Sequence, residues 1–219
     1  MAERRFDLIV FDWDGTLMDS TATIVVAIQA ACADLGLPVP TREQASHVIG
    51  LGLADALHAA VPALDPADYA RMVERYRHHY FARDAELVLF DGASDMVAAL
   101  NDAGYALAVA TGKSRKGLDR AFEASGLGAQ FHASRTADET FSKPHPAMLL
   151  ELIEEFAVLP SRTLMIGDTT HDLLMAKNAG TASVAVSFGA HPREALAAEA
   201  PLALVDSIAE LHQWLQLNA

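Results

Sequence analysis

The chain has 219 residues, more than one compact core needs and fewer than two full domains, so at ~150 residues per domain one large unit with a smaller addition is expected. A hydrophobic fraction of 52% beside 21% charged residues excludes a disordered chain. Sixteen basic against 29 acidic residues leave a formal net charge of -13, which repels nucleic acid and anionic membrane and excludes both as partners. An anionic substrate would then need a local positive site, such as a bound metal. The single cysteine, Cys32, makes no internal disulfide and fits a reducing compartment. No apolar run approaches the ~18 residues of a membrane span. Asp7 and Asp12 interrupt the apolar stretch that a leader would need after Arg4 and Arg5, so a cytoplasmic protein is expected.

In chain order, residues 6–11 form a short, mostly apolar run stopped by Asp12-Trp13-Asp14-Gly15, which reads as a buried strand ending in a loop. Residues 19–86 then show helical patterns and no strand. Asp19 or Ser20 is placed to cap a helix with apolar positions Ile24, Ile28, Ala31, Cys32 and Leu35 and a stop at Gly36. Val48-Ile49-Gly50-Leu51-Gly52-Leu53 reads as a turn. Asp65-Pro66-Ala67-Asp68 supplies a cap, a proline at the first helical position and an acid in the first turn of a second helix. The stripe Tyr69, Met72, Val73, Tyr76 and Tyr80 on that helix has helical spacing. Core packing is the plainer reading of the stripe, a ligand wall the sharper one, and Cys32 reads as a small core residue.

Beyond residue 86 the pattern alternates. Helical stretches at 93–101, 114–124, 145–157 and 170–178 lie among β-rich runs at 105–110, 163–166 and 182–186, with 131–134 a weaker strand. Such alternation predicts an α/β fold, a doubly wound parallel sheet with helices on both faces. Residues 1–18 and 87–219 would form this core domain, and residues 19–86 an α-helical cap domain inserted after the first strand.

In a sheet of this kind the ligand lies beyond the carboxyl ends of the strands. The residues found there are Asp12-Trp13-Asp14-Gly15-Thr16, Thr111-Gly112-Lys113, Ser142-Lys143-Pro144 after the weak strand, and Gly167-Asp168-Thr169-Thr170-His171-Asp172. Converging carboxylates raise one another's pKa unless a cation neutralises them. Oxygen-only ligands favour a hard ion such as Mg2+, and no Cys or His cluster has zinc spacing. A lysine and a threonine beside the ion suit phosphate oxygens. An aspartate can act as nucleophile through an aspartyl-phosphate, and Asp14, two residues beyond Asp12, can serve as acid and then base. Gly15 leaves the backbone open for amide hydrogens to approach phosphate. His171 has no role by spacing and reads as a histidine on the helix surface.

These stretches resemble, in order and in context, the four motifs of the haloacid dehalogenase (HAD) superfamily. Phe11-Asp12-Trp13-Asp14-Gly15-Thr16-Leu17 resembles its first signature, Thr111 and Lys143 the second and third, and Gly167 through Asp172 the fourth. The helical insertion after the first motif is similar to the subgroup with an α-helical cap, which contains phosphoglycolate phosphatases. Thr111-Gly112-Lys113-Ser114-Arg115-Lys116-Gly117-Leu118 is similar to that branch in particular.

The resemblance implies a Rossmann-like HAD core and an Mg2+-dependent phosphatase acting on a small phosphomonoester resembling 2-phosphoglycolate. It implies Asp12 as nucleophile and Asp14 as general acid and base. Mg2+ would be held by the Asp12 and Asp168 carboxylates and the Asp14 backbone carbonyl, with Asp172 orienting a metal-bound water from behind. Thr111, the Gly112 amide and Lys143 would hold phosphoryl oxygens. A sugar-phosphate mutase keeps all four motifs and stays open as an alternative. A phospho-acceptor or silent phosphate-binding protein is a second class, against which Asp14 argues, since a stored aspartyl-phosphate has no use for a positioned base. A second anion on the substrate would be read by one of Arg42, Arg71, Arg75 and Arg77 or by amides of the turn at 50–52.

Overall fold

The computed structural model describes residues 4–219. Six strands, β1 (Leu8–Phe11), β2 (Ala106–Thr111), β3 (Ala133–Thr136), β4 (Thr163–Gly167), β5 (Ala182–Val186) and β6 (Ala203–Val205), form one sheet. Their order is β3-β2-β1-β4-β5-β6, and every pairing is parallel. The order reverses between β1 and β4, the place where doubly wound sheets open a crevice.

Every residue of β1 is buried because both faces of the sheet are covered. Alternate side chains go to opposite sides. Ile9, Phe11, Leu107, Val109, Leu164 and Ile166 pack with α5 (Ala93–Asp102), α6 (Arg115–Ser125) and α10 (Ile208–Asn218). Leu8, Val10, Ala108, Ala110 and Met165 pack with α7 (Ala147–Glu155) and α8 (Thr170–Ala179).

Between β1 and α5 the chain leaves the sheet and makes α1 (Thr21–Asp34), α2 (Arg42–His47), α3 (Leu53–Ala60) and α4 (Tyr69–Phe81). These helices bury their own cluster, including Ile28, Cys32, Leu57 and Met72, apart from the two that flank the sheet. Two strands of chain run side by side where it leaves and returns. The Asp19 amide donates to the Val88 carbonyl at 2.9 Å and the Phe90 amide to Leu17 at 2.9 Å, around a bridge from Met18 to Leu89.

Several elements differ from expectation. The short α2 is set by a capping box between Thr41 and Gln44, and α3 starts where only a turn was expected. The three-residue β6, the short α9 (Arg193–Ala198) and α10 were also unpredicted. Asp65 does cap, but it caps a 3-10 turn, Pro66–Asp68, that leads into α4. Ser20 stands at the N-terminus of α1 without making a capping bond, because its hydroxyl is used elsewhere. Among the described residues, no helix is long and apolar enough to cross a membrane.

Candidate active site

The carboxyl edge of the sheet carries a buried charged cluster. Asp12 follows β1, Asp168 follows β4, and Asp172 lies in the first turn of α8. Each offers a ligand oxygen within 4.8 Å of the others. Lys143, on the loop after β3, places Nζ 2.7 Å from Asp12 Oδ1 and 2.7 Å from Asp172 Oδ1. The other oxygen of Asp172 accepts from the Thr169 amide at 3.1 Å and hydroxyl at 2.7 Å, so the cap of α8 fixes this carboxylate.

Asp168 is held just as tightly. Thr16 donates its hydroxyl to Oδ1 at 3.0 Å, and the Ala190 amide donates to Oδ2 at 2.7 Å. A Cβ on Gly15 (φ +79°) or on Gly189 would overlap this carboxylate, so two glycines make its berth. One Asp12 oxygen is on Lys143, while its Oδ2 is buried with no hydrogen-bond partner; Asp172 Oδ1 likewise accepts no hydrogen bond and meets Lys143 as an ion pair.

Three carboxylates against one ammonium leave two negative charges in excess in a buried space. Burial and the neighbouring acids push Asp12 up to about 7 and hold Asp168 well above the usual carboxylate range. The Lys143 ammonium is disfavoured by burial, but the flanking carboxylates outweigh that and raise it. An orphaned buried carboxylate oxygen, an all-oxygen donor set and uncompensated charge fit a hard divalent cation.

Asp14 points into a different environment. Its Oδ1 accepts from the Ser20 hydroxyl at 2.6 Å, and its Oδ2 lies 3.0 Å from Lys113 Nζ. That ammonium also donates to the Tyr80 hydroxyl of α4 at 3.0 Å, tying the helical insertion to the sheet edge. Thr111, the buried last residue of β2, accepts the Lys113 amide at 3.2 Å on its hydroxyl. Gly112 lies against the Gly50 and Leu51 carbonyls so closely that a Cβ would strike both. The Gly52 amide donates to Ser142 Oγ at 2.8 Å, so the turn at 50–52 rests on two of the sheet's loops.

All seven expected residues stand at this edge. Asp12, Lys143, Asp168 and Asp172 form the charged cluster, whereas Asp12, Asp14, Thr111 and Gly112 line one cavity beneath the helical insertion. Asp12 belongs to both. From the sequence, Ser20 reads as a helix cap and Tyr80 as part of the α4 stripe, Thr16 and Lys113 have no role of their own, and the Gly189-Ala190 loop is missed. Lys113 carries a readable signal, a lysine directly after Thr111-Gly112. His171 is half-buried, and its Nε2 donates to the His47 carbonyl at 2.8 Å, across the seam between α8 and α2.

Comparison with known proteins agrees with the geometry. Residues 9–186 match the family model described as haloacid dehalogenase-like hydrolase. The chain is 36% identical over 221 residues to a probable phosphatase, IndB, of Dickeya dadantii, covering 97% of this chain and 96% of that one. It is 31% identical over 221 residues to a phosphoglycolate phosphatase of Vibrio vulnificus, covering 96% of each. The crystal structure of a predicted phosphoglycolate phosphatase from Haemophilus somnus superposes with a TM-score of 0.86 at 26% identity, over 95% of this chain and 97% of that one. The chain belongs to the haloacid dehalogenase-like hydrolase family and is an enzyme of its phosphatase branch, the one that holds the phosphoglycolate phosphatases.

Proposed function

We propose that the protein is an Mg2+-dependent phosphatase that hydrolyses a small phosphomonoester through an aspartyl-phosphate on Asp12. The observation that carries this reading is Asp12 itself, a carboxylate shared between the charged cluster and the cavity, with one oxygen fixed by Lys143 and the other free of partners. The Asp12 oxygen attacks phosphorus and the ester bond breaks, while Asp14 gives its proton to the departing alkoxide. Asp14 then takes a proton from the water that attacks the acyl phosphate, and phosphate leaves with the Asp12 carboxylate restored.

Thr111, the Gly112 amide and Lys143 hold phosphoryl oxygens through these steps. Lys143 donates to Asp12 and pairs with Asp172 at 2.7 Å, and an ammonium has three donors, so one remains for substrate. The Asp12 and Asp168 carboxylates and the Asp14 carbonyl would hold Mg2+, with Asp172 orienting its water from behind. The ion, when bound, neutralises the excess charge that would otherwise repel a phosphate dianion. Lys113 and Ser20 keep the Asp14 carboxylate aimed at the cavity.

Residues 1–18 and 87–219 act as the catalytic core domain, and residues 19–86 as a cap that covers it. The paired crossings near Met18 and Leu89 serve as the hinge. The partner is a small phosphorylated metabolite in the cytoplasm. The similarity to phosphoglycolate phosphatases makes 2-phosphoglycolate the reference compound. Phosphate release from a panel of phosphomonoesters with Mg2+, and its loss in excess EDTA, tests the proposal. Isomerisation of a sugar phosphate without phosphate release would replace the phosphatase by a mutase.

A further inference from the structure

The cavity above Asp12 and Asp14 holds about 650 Å3, within the roughly 300–1,000 Å3 of sites that enclose drug-sized ligands. On the phosphatase reading a phosphoryl group takes up only its floor, where Asp12, Thr111 and Gly112 stand. Glycolate, a handful of atoms, would leave most of the remainder empty. The wall that the helical insertion contributes is mostly aliphatic and aromatic: Ile24 and Ile28 from α1, Leu53 from α3, and Tyr69, Val73 and Tyr76 from α4. The stripe on α4 is thus divided. Met72 alone is wholly sunk in the core between helices, while its neighbours face the cavity.

Two of the three cations in this wall are already engaged. Lys113 is bound by Asp14 and Tyr80, and Arg120 donates to Asp84 at 2.7 Å. Asp138 adds a further negative charge. Arg77 is the remaining cation, and it is exposed. Two of the three amides of the turn at 50–52 are spent, since the Leu51 amide donates to the Val48 carbonyl at 3.3 Å and the Gly52 amide to Ser142. A carboxylate on the leaving group would give up its hydration to an apolar wall without an unengaged ammonium inside. An uncharged ring would bury apolar area against Tyr69, Val73 and Tyr76.

Resting on the phosphatase reading, we propose that the substrate is a phosphomonoester of an uncharged alcohol that carries an aromatic or branched apolar body larger than glycolate. Phosphate release with Mg2+ is measured for ethyl phosphate, 2-phosphoglycolate and 2-phenylethyl phosphate, three unactivated primary phosphomonoesters. The expected kcat/KM for 2-phenylethyl phosphate exceeds that for ethyl phosphate by about tenfold or more, with 2-phosphoglycolate no better than ethyl phosphate. In Val73→Trp, whose indole takes up part of the cavity beside Tyr69 and Tyr76, the ratio of 2-phenylethyl to ethyl phosphate falls about fivefold or more. Equal rates on all three, or a preference for 2-phosphoglycolate, would overturn this inference and leave the phosphatase intact. Release from none of them would overturn the phosphatase reading and the inference together.

Discussion

The floor of the site and its roof are built on opposite principles. At the floor, strand ends and one helix cap place three carboxylates and a lysine close together, and Asp168, Asp172 and Lys143 each have two named partners. At the roof, α1, α3 and α4 offer side chains whose shared property is shape, joined to the floor by a few contacts such as Tyr80 to Lys113 and Gly52 to Ser142. A phosphoryl group has one geometry and a fixed charge, so its site is a matter of residue identity at fixed spacing. A leaving group is recognised through volume and surface, which many sequences can supply.

The largest expected effect separates two aspartates of the floor. Asp12→Asn removes the nucleophile and should lower kcat by roughly 1,000-fold or more. Asp14→Asn keeps the nucleophile but loses proton transfer, for a loss on the order of 100-fold or more in kcat. Steady-state assays of both variants rank them, and a near-normal rate in Asp12→Asn would erase the distinction.

Lys143→Met probes the same region through stability. It leaves Asp12 and Asp172 facing each other, buried and without their ammonium. The expected cost is about 3–5 kcal/mol in urea unfolding of the metal-free protein. A cost no greater than that of a surface substitution would mean that the floor is less tightly organised than its hydrogen bonds indicate.

The metal-free protein should also carry a pH signature. Asp12 is pushed up to about 7 from an ordinary 3.8, so between these values the folded state binds more protons than the unfolded one. Stability contributed by the protonated carboxyl is therefore complete below about 4 and is lost as pH rises through about 7. Saturating Mg2+ should raise Tm above that range and flatten the decline, and Asp168→Asn should abolish the Mg2+ response. Thermal unfolding at pH 5.5 and 8 with and without Mg2+ measures both.

The smallest effects belong to the roof's outer surface. Arg71 pairs with Asp68 and Arg75 with Asp34, all on exposed or half-exposed side chains. Arg71→Ala and Arg75→Ala should each change stability by under ~1 kcal/mol. Neither should alter the ratio of kcat/KM between any two substrates; a change in that ratio would bring the roof's charges back into substrate choice.

Legibility in the sequence followed the same division. The runs at 6–11, 105–110 and 163–166 showed as strands because burial on both faces makes them continuously apolar, and the chemistry stood directly after them. β6 spans only Ala203–Val205, and α2 reads Arg-Glu-Gln-Ala-Ser-His, with one buried residue to give it a period. The helpers of the floor were hidden for another reason. Ser20 is as good a helix cap as a partner for Asp14, and nothing local shows that Ala190, 22 residues from Asp168, donates its amide there. The division of the α4 stripe between core and cavity depends on how far that helix stands from the sheet, which no periodicity encodes.

The covalent route through Asp12 is tested most directly by trapping. Asp14→Asn, mixed with Mg2+ and a hydrolysed phosphomonoester and quenched in acid within its first turnover, should carry one phosphoryl group on the peptide that contains Asp12. Mass spectrometry of the digest should find that adduct decaying as phosphate is released, and find none in Asp12→Asn. Full phosphate release with the Asp12 peptide unmodified at every quench time would contradict the covalent route and assign the attack to water.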